Sequence, residues 1–228
     1  MDVLYPIGSG SKYNDLELKY SLRSIEKYLT GYDRIFIVGN LPNWIKKDSV
    51  VHIQKGDGLY KQHNIFLKIK AAIDNGISND FLFFNDDHFL LQPLQADKLP
   101  YFYDNTLQHW ETKARGRYKG AILNTGEGLY YDVHTPIIYN GEKFLNTVGK
   151  LDWSKEYVIK SAYCNANKIG KIVKIDDIKI EQERTLEQLK AIIHKKMFFS
   201  IATYAIYPAM KQLLNELYPE KSKYEKWK

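Results

Sequence analysis

The chain has 228 residues, 44% of them hydrophobic, which is enough apolar sequence to bury a sizeable core. A formal net charge of +6 favours anionic partners, without distinguishing nucleotides from nucleic acid or an acidic membrane surface. The single cysteine, Cys164, excludes an internal disulfide, and the first residues lack the basic and apolar segments of a secretion signal. No apolar run is long enough to span a bilayer. We therefore expect a cytoplasmic protein.

The first third of the chain alternates short apolar runs with amphipathic segments. Apolar residues recur at helical spacing between residues 18 and 29, after a cap at Asn14 or Asp15, and a second such stripe follows residue 64. The pattern predicts strands at residues 3–5, 34–39, 50–53 and 81–84, with helices ending at Gly31 and at Asn75-Gly76. Strands that alternate with helices indicate an α/β sheet.

Two loops have the composition of ligand-binding segments. Pro6–Ser11 follows the first strand and holds small residues that let backbone N–H groups approach a ligand. It matches neither the phosphate-binding Gly-x-x-x-x-Gly-Lys-Ser/Thr loop nor the dinucleotide Gly-x-Gly-x-x-Gly motif. Lys55–Asn64 is polar, contains two glycines and leads into the second helix. Both loops follow predicted strands, where ligands of open α/β sheets bind.

The most informative stretch is Asp80–Leu91. It begins as an aromatic strand, and that strand is followed by Asn85-Asp86-Asp87-His88. Burying charge is costly, so two adjacent carboxylates at the end of a strand indicate the mouth of a site. Hard oxygen ligands of this kind suit Mg²⁺ or Mn²⁺ bound against a diphosphate. An Asx-type turn after an ordinary strand explains the same residues and stays an alternative.

The rest of the chain is less regular, and its elements are predicted with looser boundaries. Arg115–Gly120 has the composition of a basic, flexible loop, suited to donor phosphates, to an anionic acceptor or to an ordinary surface. We predict helices at 106–115, 142–148, 153–167, 183–199 and 203–217, and strands at 121–123 and 171–175. Residues 1–180 then form the catalytic domain, and residues 181–228 form a helical extension packed on it.

A second candidate site lies in Tyr130–Ile138. Asp132 and His134 are two residues apart, which places both side chains on the same side of an extended strand. Either residue can act as a general base toward an acceptor hydroxyl, or His134 can complete a metal shell begun by Asp87. A structural histidine before the Thr135-Pro136 turn is the alternative.

Several stretches together resemble the Stealth proteins. The resemblance covers roughly the first 140 residues in order and is most specific at the helix that carries Arg23 and at Asn85-Asp86-Asp87. The stretches are Asp2–Gly10, Asn14–Ile25, Arg34–Gly39, Phe84–Phe89 and Asp132–Pro136. The sequence departs from the family at Gly8-Ser9-Gly10, where a Trp-Val-Asp-like segment is usual, and at Tyr60–Asn64.

The resemblance implies a fold and a chemistry. Stealth proteins are related to sugar transferases with a nucleotide-diphosphate donor, and several of them transfer hexose 1-phosphate. The implied fold class is α/β, a GT-A-like (Rossmann-type) mixed sheet flanked by helices, with a helical C-terminal region. By position, Asp86 and Asp87 would be metal and diphosphate ligands, Arg23 a donor-phosphate contact, and His134 a catalytic or metal-shell residue.

We therefore predict a metal-dependent glycosyltransferase that moves a sugar from a nucleotide-diphosphate sugar to a hydroxyl acceptor such as a glycan. Mn²⁺ or Mg²⁺ lies on Asp87 with Asp86, and His134 or Asp132 accepts the acceptor's proton. Donor contacts are predicted at Ile7, Gly8, Ser9, Arg23, Lys61, Asn64, Asn85 and Asp86. A sugar-1-phosphate transferase, a glycosyltransferase acting on modified DNA and a non-enzymatic module are the alternatives.

Overall fold

The computed structural model describes residues 1–9, 11 and 13–226. Gly10 of the predicted ligand-binding loop lies outside the described residues. The strands are β1 (Asp2–Ile7), β2 (Leu29–Thr30), β3 (Ile35–Gly39), β4 (Val51–Ile53), β5 (Asp80–Phe83), β6 (His88–Leu90), β7 (Leu94–Gln95), β8 (Tyr101–Tyr103), β9 (Ile137–Asn140), β10 (Ile172–Lys174), β11 (Lys179–Ile180) and β12 (Phe198–Ile201). 

The helices alternate with these strands along the chain. They are α1 (Leu16–Tyr28), α2 (Lys61–Asp74), α3 (Leu107–Lys113), α4 (Gly116–Thr125), α5 (Gly141–Thr147), α6 (Ile159–Ala166), α7 (Leu186–Ile193) and α8 (Pro208–Leu217). Short 3₁₀ turns cover Lys47–Ser49, Ala96–Lys98, Val148–Lys150 and Thr203–Ala205.

The central sheet has the strand order β4-β3-β1-β5-β9. The first four strands are parallel, and β9 runs antiparallel to β5 at the edge. β1 and β3 are apolar and buried along almost their whole length, as expected of parallel strands covered on both faces. The predicted GT-A-like mixed sheet is confirmed in its α/β class and in the position of its first strands.

Helices cover the two faces of this sheet. α1 packs Leu18, Leu22 and Ile25 into one core with alternate strand residues such as Tyr5. α2 packs Phe66, Ile69 and Ala72 into the other core, with Leu4 of β1. Because side chains alternate along a strand, neighbouring residues of β1 serve different cores. The sheet is therefore packed against helices on both of its faces.

A smaller sheet, β11-β12-β6, is built by the C-terminal part of the chain. β12 runs antiparallel to β6, pairing Ser200 with His88, and β11 pairs Lys179 with the same Ser200. α7 and α8 pack over this sheet in a third core that includes Phe89 and Phe199. The residues that follow the acid pair are therefore held by a part of the chain more than a hundred positions away.

Three predicted elements are wrong. Arg115–Gly120 and Ala121–Leu123 are not a loop and a strand but belong to α4, whose side chains at 118, 121, 122 and 125 recur at helical spacing. Residues 183–199 are not one helix, because α7 ends at Ile193 and Phe198–Ile201 forms β12. A run of four buried residues has no periodicity that distinguishes helix from strand.

The division at residues 180 and 181 stays a prediction. The segment after residue 180 is not purely helical, since β12 contributes a strand to the small sheet. Across the part of the chain that is described, no helix has both the length and the hydropathy needed to cross a membrane.

Candidate active site

A polar cleft of about 370 Å³ opens at the carboxyl ends of β1 and β5. The two strands are parallel, with Leu4 beside Phe83, so the chain leaves both at the same edge of the sheet. The cleft is lined by Pro6, Gly8, Lys61, Asn64, Ile65, Asn85, Asp86, Asp87, Lys179, Glu181, Ala202, Thr203 and Tyr204. Several of the predicted site residues are therefore brought to one cleft. With Asp87 they make six: Gly8, Lys61, Asn64, Asn85, Asp86 and Asp87.

The carboxylates at this edge repel one another. Burial, and the charges of Asp87, Glu17 and Asp15, raise the pKa of Asp86 to about 7. Burial also raises the pKa of both Asp15 and Glu17, which lie at the start of α1. The edge therefore holds more negative charge than its surroundings neutralise.

Asp87 has an unfilled hydrogen-bonding position. Its Oδ1 atom is buried and has no hydrogen-bond partner. The Nε2 atom of His88 is 3.8 Å from it, beyond hydrogen-bonding distance, and burial together with nearby cations lowers the pKa of His88. A buried carboxylate oxygen without a partner is costly, so a ligand that supplies a positive charge would stabilise it.

These carboxylates fit a divalent ion only if a substrate completes its shell. Among residues 1–9, 11 and 13–226, no group of three or more His, Cys, Asp and Glu side chains is placed to hold a metal. Mg²⁺ is often held by one or two carboxylates, with phosphate oxygens and water in the other positions. Asp86 and Asp87 fit that pattern, with the unpartnered Oδ1 of Asp87 as one ligand atom.

His134 lies between Asp177 and Lys179 and forms a hydrogen bond with each of them. Its Nδ1 atom is 2.6 Å from Oδ2 of Asp177, and its backbone N–H donates to Oδ1 of the same residue at 2.9 Å. Its Nε2 atom is 3.1 Å from Nζ of Lys179. Burial alone would raise the pKa of Asp177, but the hydrogen bonds from His134 bring it below the usual value. The imidazole is thus fixed on both ring nitrogens.

Asp132 is held by the hydroxyl of Tyr118. That hydroxyl donates to Oδ2 of Asp132 at 2.7 Å and lies 2.6 Å from the hydroxyl of Tyr130. Burial and the charge of Asp132 raise the pKa of Tyr118, which keeps the phenol protonated as a donor. Asp132 is therefore fixed by a phenol that comes from α4.

The loop that carries both residues is supported by a buried lysine. The Nζ atom of Lys160 donates to the backbone oxygens of Val133 at 2.6 Å and Thr135 at 2.7 Å. A small cavity of about 40 Å³ brings the predicted catalytic and metal residues together. Its lining includes Lys61, Asn85, Asp87, Asp132, His134 and Lys160.

A second cleft, of about 520 Å³, lies on the far side of His134. Trp110 and Tyr130 stack at 4.9 Å between ring centroids and form part of its wall. Lys179 and Glu181 line both this cleft and the first one. Two clefts that share Lys179 and Glu181 provide space for two substrates.

Three predicted donor contacts lie elsewhere. Arg23 forms a two-bond ion pair with Glu225, at 2.7 and 2.8 Å, and it is not among the residues that line the cleft. The side chain of Ile7 is buried, and its carbonyl accepts a hydrogen bond from Lys68. The Ser9 hydroxyl donates to Asp57 at 3.0 Å. In this stretch Gly8 is the predicted contact that reaches the cleft.

The sequence interpretation missed Lys179, Glu181, Asp177 and Lys160. Lys179 is flanked by isoleucines on a two-residue strand, which is the pattern of an ordinary edge lysine. Asp177 is 43 residues from His134, and only the folded chain brings them together. The one signal in the sequence was the adjacent pair Asp176-Asp177 before a short apolar alternation.

Comparison with known proteins agrees with this fold. Residues 12–109 match the model of Stealth protein CR2, conserved region 2, a range that includes the acid pair, Lys61 and Asn64. The chain is 30% identical over 150 residues to the capsular polysaccharide phosphotransferase SacB of Neisseria meningitidis serogroup A. This covers 61% of the chain and 25% of the relative, so the chain spans about a quarter of the length of the curated relatives that it matches. The predicted resemblance to Stealth proteins is confirmed.

Solved structures define the class of fold. A structure of the galactosyltransferase LgtC with donor and acceptor sugar analogs has a TM-score of 0.54 at 12% identity, covering 98% of this chain and 97% of that one. An active-site mutant of LgtC has a TM-score of 0.55 at 11% identity with the same coverage. The fold is thus that of GT-A glycosyltransferases, and residues 12–109 carry the Stealth similarity on it.

Proposed function

We propose that this chain is a transferase that uses a nucleotide-diphosphate sugar as donor and a hydroxyl group as acceptor. The observation that carries the proposal is the cleft in which Asp86 and Asp87 face Lys61, Lys179 and the His134 cavity. Ligands of open α/β sheets bind at this edge, outside the carboxyl ends of the strands. Excess carboxylate with adjacent cations suits a diphosphate bound together with a divalent ion.

The donor's diphosphate occupies the first cleft in this proposal. Lys61 and Asn64, at the start of α2, lie where a positive charge and an amide can contact its oxygens. A Cβ atom at Gly8 would meet no protein atom within 4 Å, so the backbone there faces open space in the cleft. Asp86 and Asp87 would hold Mg²⁺ or Mn²⁺, which when bound offsets the negative charge of the diphosphate.

We propose sugar 1-phosphate as the group transferred, because the sequence similarity is to Stealth proteins and to a capsular polysaccharide phosphotransferase. The acceptor oxygen forms a bond to the β-phosphorus, and the bond from that phosphorus to the bridging oxygen breaks. A nucleoside monophosphate leaves with the electron pair. The acceptor's proton passes to Nε2 of His134, whose Nδ1–H stays bonded to Asp177.

Sugar transfer is the second candidate, favoured by the fold shared with LgtC. The acceptor oxygen then bonds to the anomeric carbon, and a nucleoside diphosphate leaves. DNA as the acceptor has less support. The basic stretch that motivated it belongs to α4, where Arg117 lies 3.5 Å from Glu156 and Lys119 lies 3.8 Å from Glu111.

The test is the nucleotide product. A panel of nucleotide sugars with Mn²⁺ or Mg²⁺ is first screened for thermal stabilisation of the protein, and stabilising donors are incubated with hydroxyl acceptors. Release of a nucleoside monophosphate supports phosphosugar transfer, and release of a diphosphate supports sugar transfer. The absence of binding and of product across the panel would contradict both.

A further inference from the structure

The two hydrogen-bond partners of His134 determine the role of each ring nitrogen. The carboxylate of Asp177 can only accept a hydrogen bond, so Nδ1 of His134 carries the proton. The ammonium of Lys179 can only donate, so Nε2 carries the lone pair. His134 is therefore neutral and oriented as a base, but its basic nitrogen is covered by Lys179.

Lys179 lies at the boundary between the two clefts. The small sheet sets its position, because Lys179, Ser200 and His88 form one row across β11, β12 and β6, and Asp87 precedes His88. Its side chain lines the donor cleft together with Asp86 and Asp87 and also lines the second cleft with Trp110. A small movement of a flexible lysine side chain would carry its charge from one cleft to the other.

The neighbouring lysines Lys160 and Lys61 differ from Lys179 in their burial and in their hydrogen-bond partners. Lys160 is buried, and its ammonium is held by two backbone carbonyls. Lys61 is exposed and lies in the first turn of α2. Within the described residues, Lys179 is the lysine whose hydrogen bond is to a neutral imidazole. A phosphate oxygen is a stronger acceptor for an ammonium than a neutral nitrogen is, because the bond is charge-assisted on both sides.

We propose that Lys179 is a donor-responsive cover of His134, an inference that rests on the proposed function. In the free protein Lys179 donates to Nε2 of His134. When a diphosphate enters the donor cleft, the ammonium moves to a phosphate oxygen and Nε2 becomes free to accept the acceptor's proton. The base is then available only when the donor is bound, so the donor binds before a productive acceptor.

The test follows the imidazole nitrogen and the diphosphate separately. Long-range proton–nitrogen spectra report the hydrogen bond at Nε2 of His134, with His134→Gln used to assign the signal. In the unmodified protein, pyrophosphate with Mg²⁺ and each nucleoside diphosphate are expected to shift this signal. In Lys179→Met the signal already has the shifted value, and diphosphate affinity falls roughly tenfold or more.

Two variants serve as controls. Lys174→Met removes the same charge from an exposed position on β10 and should change neither the signal nor the affinity. Lys179→Arg keeps a cation and should retain most of the diphosphate affinity. If the unmodified protein binds neither pyrophosphate nor any nucleotide, the proposed function fails. If it binds them, while the His134 signal stays unchanged and Lys179→Met binds equally well, only the role of Lys179 fails.

Discussion

Two buried groups of charges in this protein differ in how fully they are satisfied. Arg23 donates twice to Glu225 and once to the backbone oxygen of Tyr218, and Glu225 also accepts from Ser222. At the strand ends, two like charges lie side by side, and one oxygen of Asp87 has no partner. The fully paired charges of Arg23 and Glu225 stabilise the fold. The unpaired oxygen of Asp87 leaves a position at which a bound cation would lower the cost of burial.

The comparison explains why resemblance assigned Arg23 and Asp87 to one site although only Asp87 lies in the cleft. Both residues fall in the range that matches the Stealth model. Arg23 ties α1 to the C-terminal segment, 202 positions away. Sequence similarity identifies both residues together. It does not distinguish a residue that stabilises the fold from one that binds a ligand.

The largest expected effect is on the stability of the protein, at the ion pair between Arg23 and Glu225. Arg23→Met leaves Glu225 buried without its cation and should lower the free energy of unfolding by about 3–5 kcal/mol. Urea unfolding measures this, with exposed Arg117→Met as a control that changes it by less than about 0.5 kcal/mol. A stable Arg23→Met protein with weakened nucleotide binding would instead place Arg23 in the donor site.

The next effect is on activity, at the unsatisfied group. Asp87→Asn should lower donor turnover by about 100-fold and remove the dependence of nucleotide stabilisation on divalent ions, without loss of folded protein. Product release and thermal stabilisation by a nucleoside diphosphate are the two measurements. Asp74→Asn, an exposed change paired with Lys70, is the matched control. Full turnover in Asp87→Asn would overturn the assignment.

A smaller effect concerns pH. The pKa of Asp86 is raised from 3.8 to about 7, so the protonated form favours the folded state. That stabilisation is fully present below about pH 4 and is lost as the pH rises through about 7. With a chelator present, Asp86→Asn should therefore be more stable than the unmodified protein by about 1–2 kcal/mol at pH 8 and about equal to it near pH 4. An equal difference at both pH values would show that Asp86 is not repelled by its neighbours.

The smallest effect tests whether Asp132 resembles the satisfied pair. Tyr118→Phe removes the hydroxyl that donates to Asp132 and should lower the free energy of unfolding by about 1 kcal/mol. Nucleotide affinity should stay unchanged, because Tyr118 does not line the donor cleft. Thermal unfolding and nucleotide titration separate the two outcomes, and a loss of affinity alone would link α4 to donor binding.

Much of the site's first half could be predicted from the sequence. The apolar runs of β1, β3 and β5 end sharply in small or polar residues, and Asp86 and Asp87 follow such an ending directly. The local sequence pattern therefore predicted both the strand β5 and the carboxylates that follow it. The fold of the first hundred residues and the position of the acid pair follow from that pattern.

The second half could not be predicted in the same way. β11 and β12 are two and four residues long, too short for a periodic signal, and their neighbours are set by pairing with β6. Lys179 and Asp177 reach His134 only in the folded chain. α4 was missed because Gly116 and Gly120 suggest a loop, although Ala121 and Ile122 are buried on its packed face.

The row that joins His88, Ser200 and Lys179 also sets an order of assembly. The acid pair leaves the ribosome more than ninety residues before Lys179, and β12, which holds Lys179 in place, follows later still. Domains can begin to fold from the N-terminal side during synthesis. A nascent chain that has formed the central sheet therefore contains Asp86 and Asp87 before Lys179 has been synthesised. The pairing that positions Lys179 can form only after Phe198–Ile201 has been synthesised.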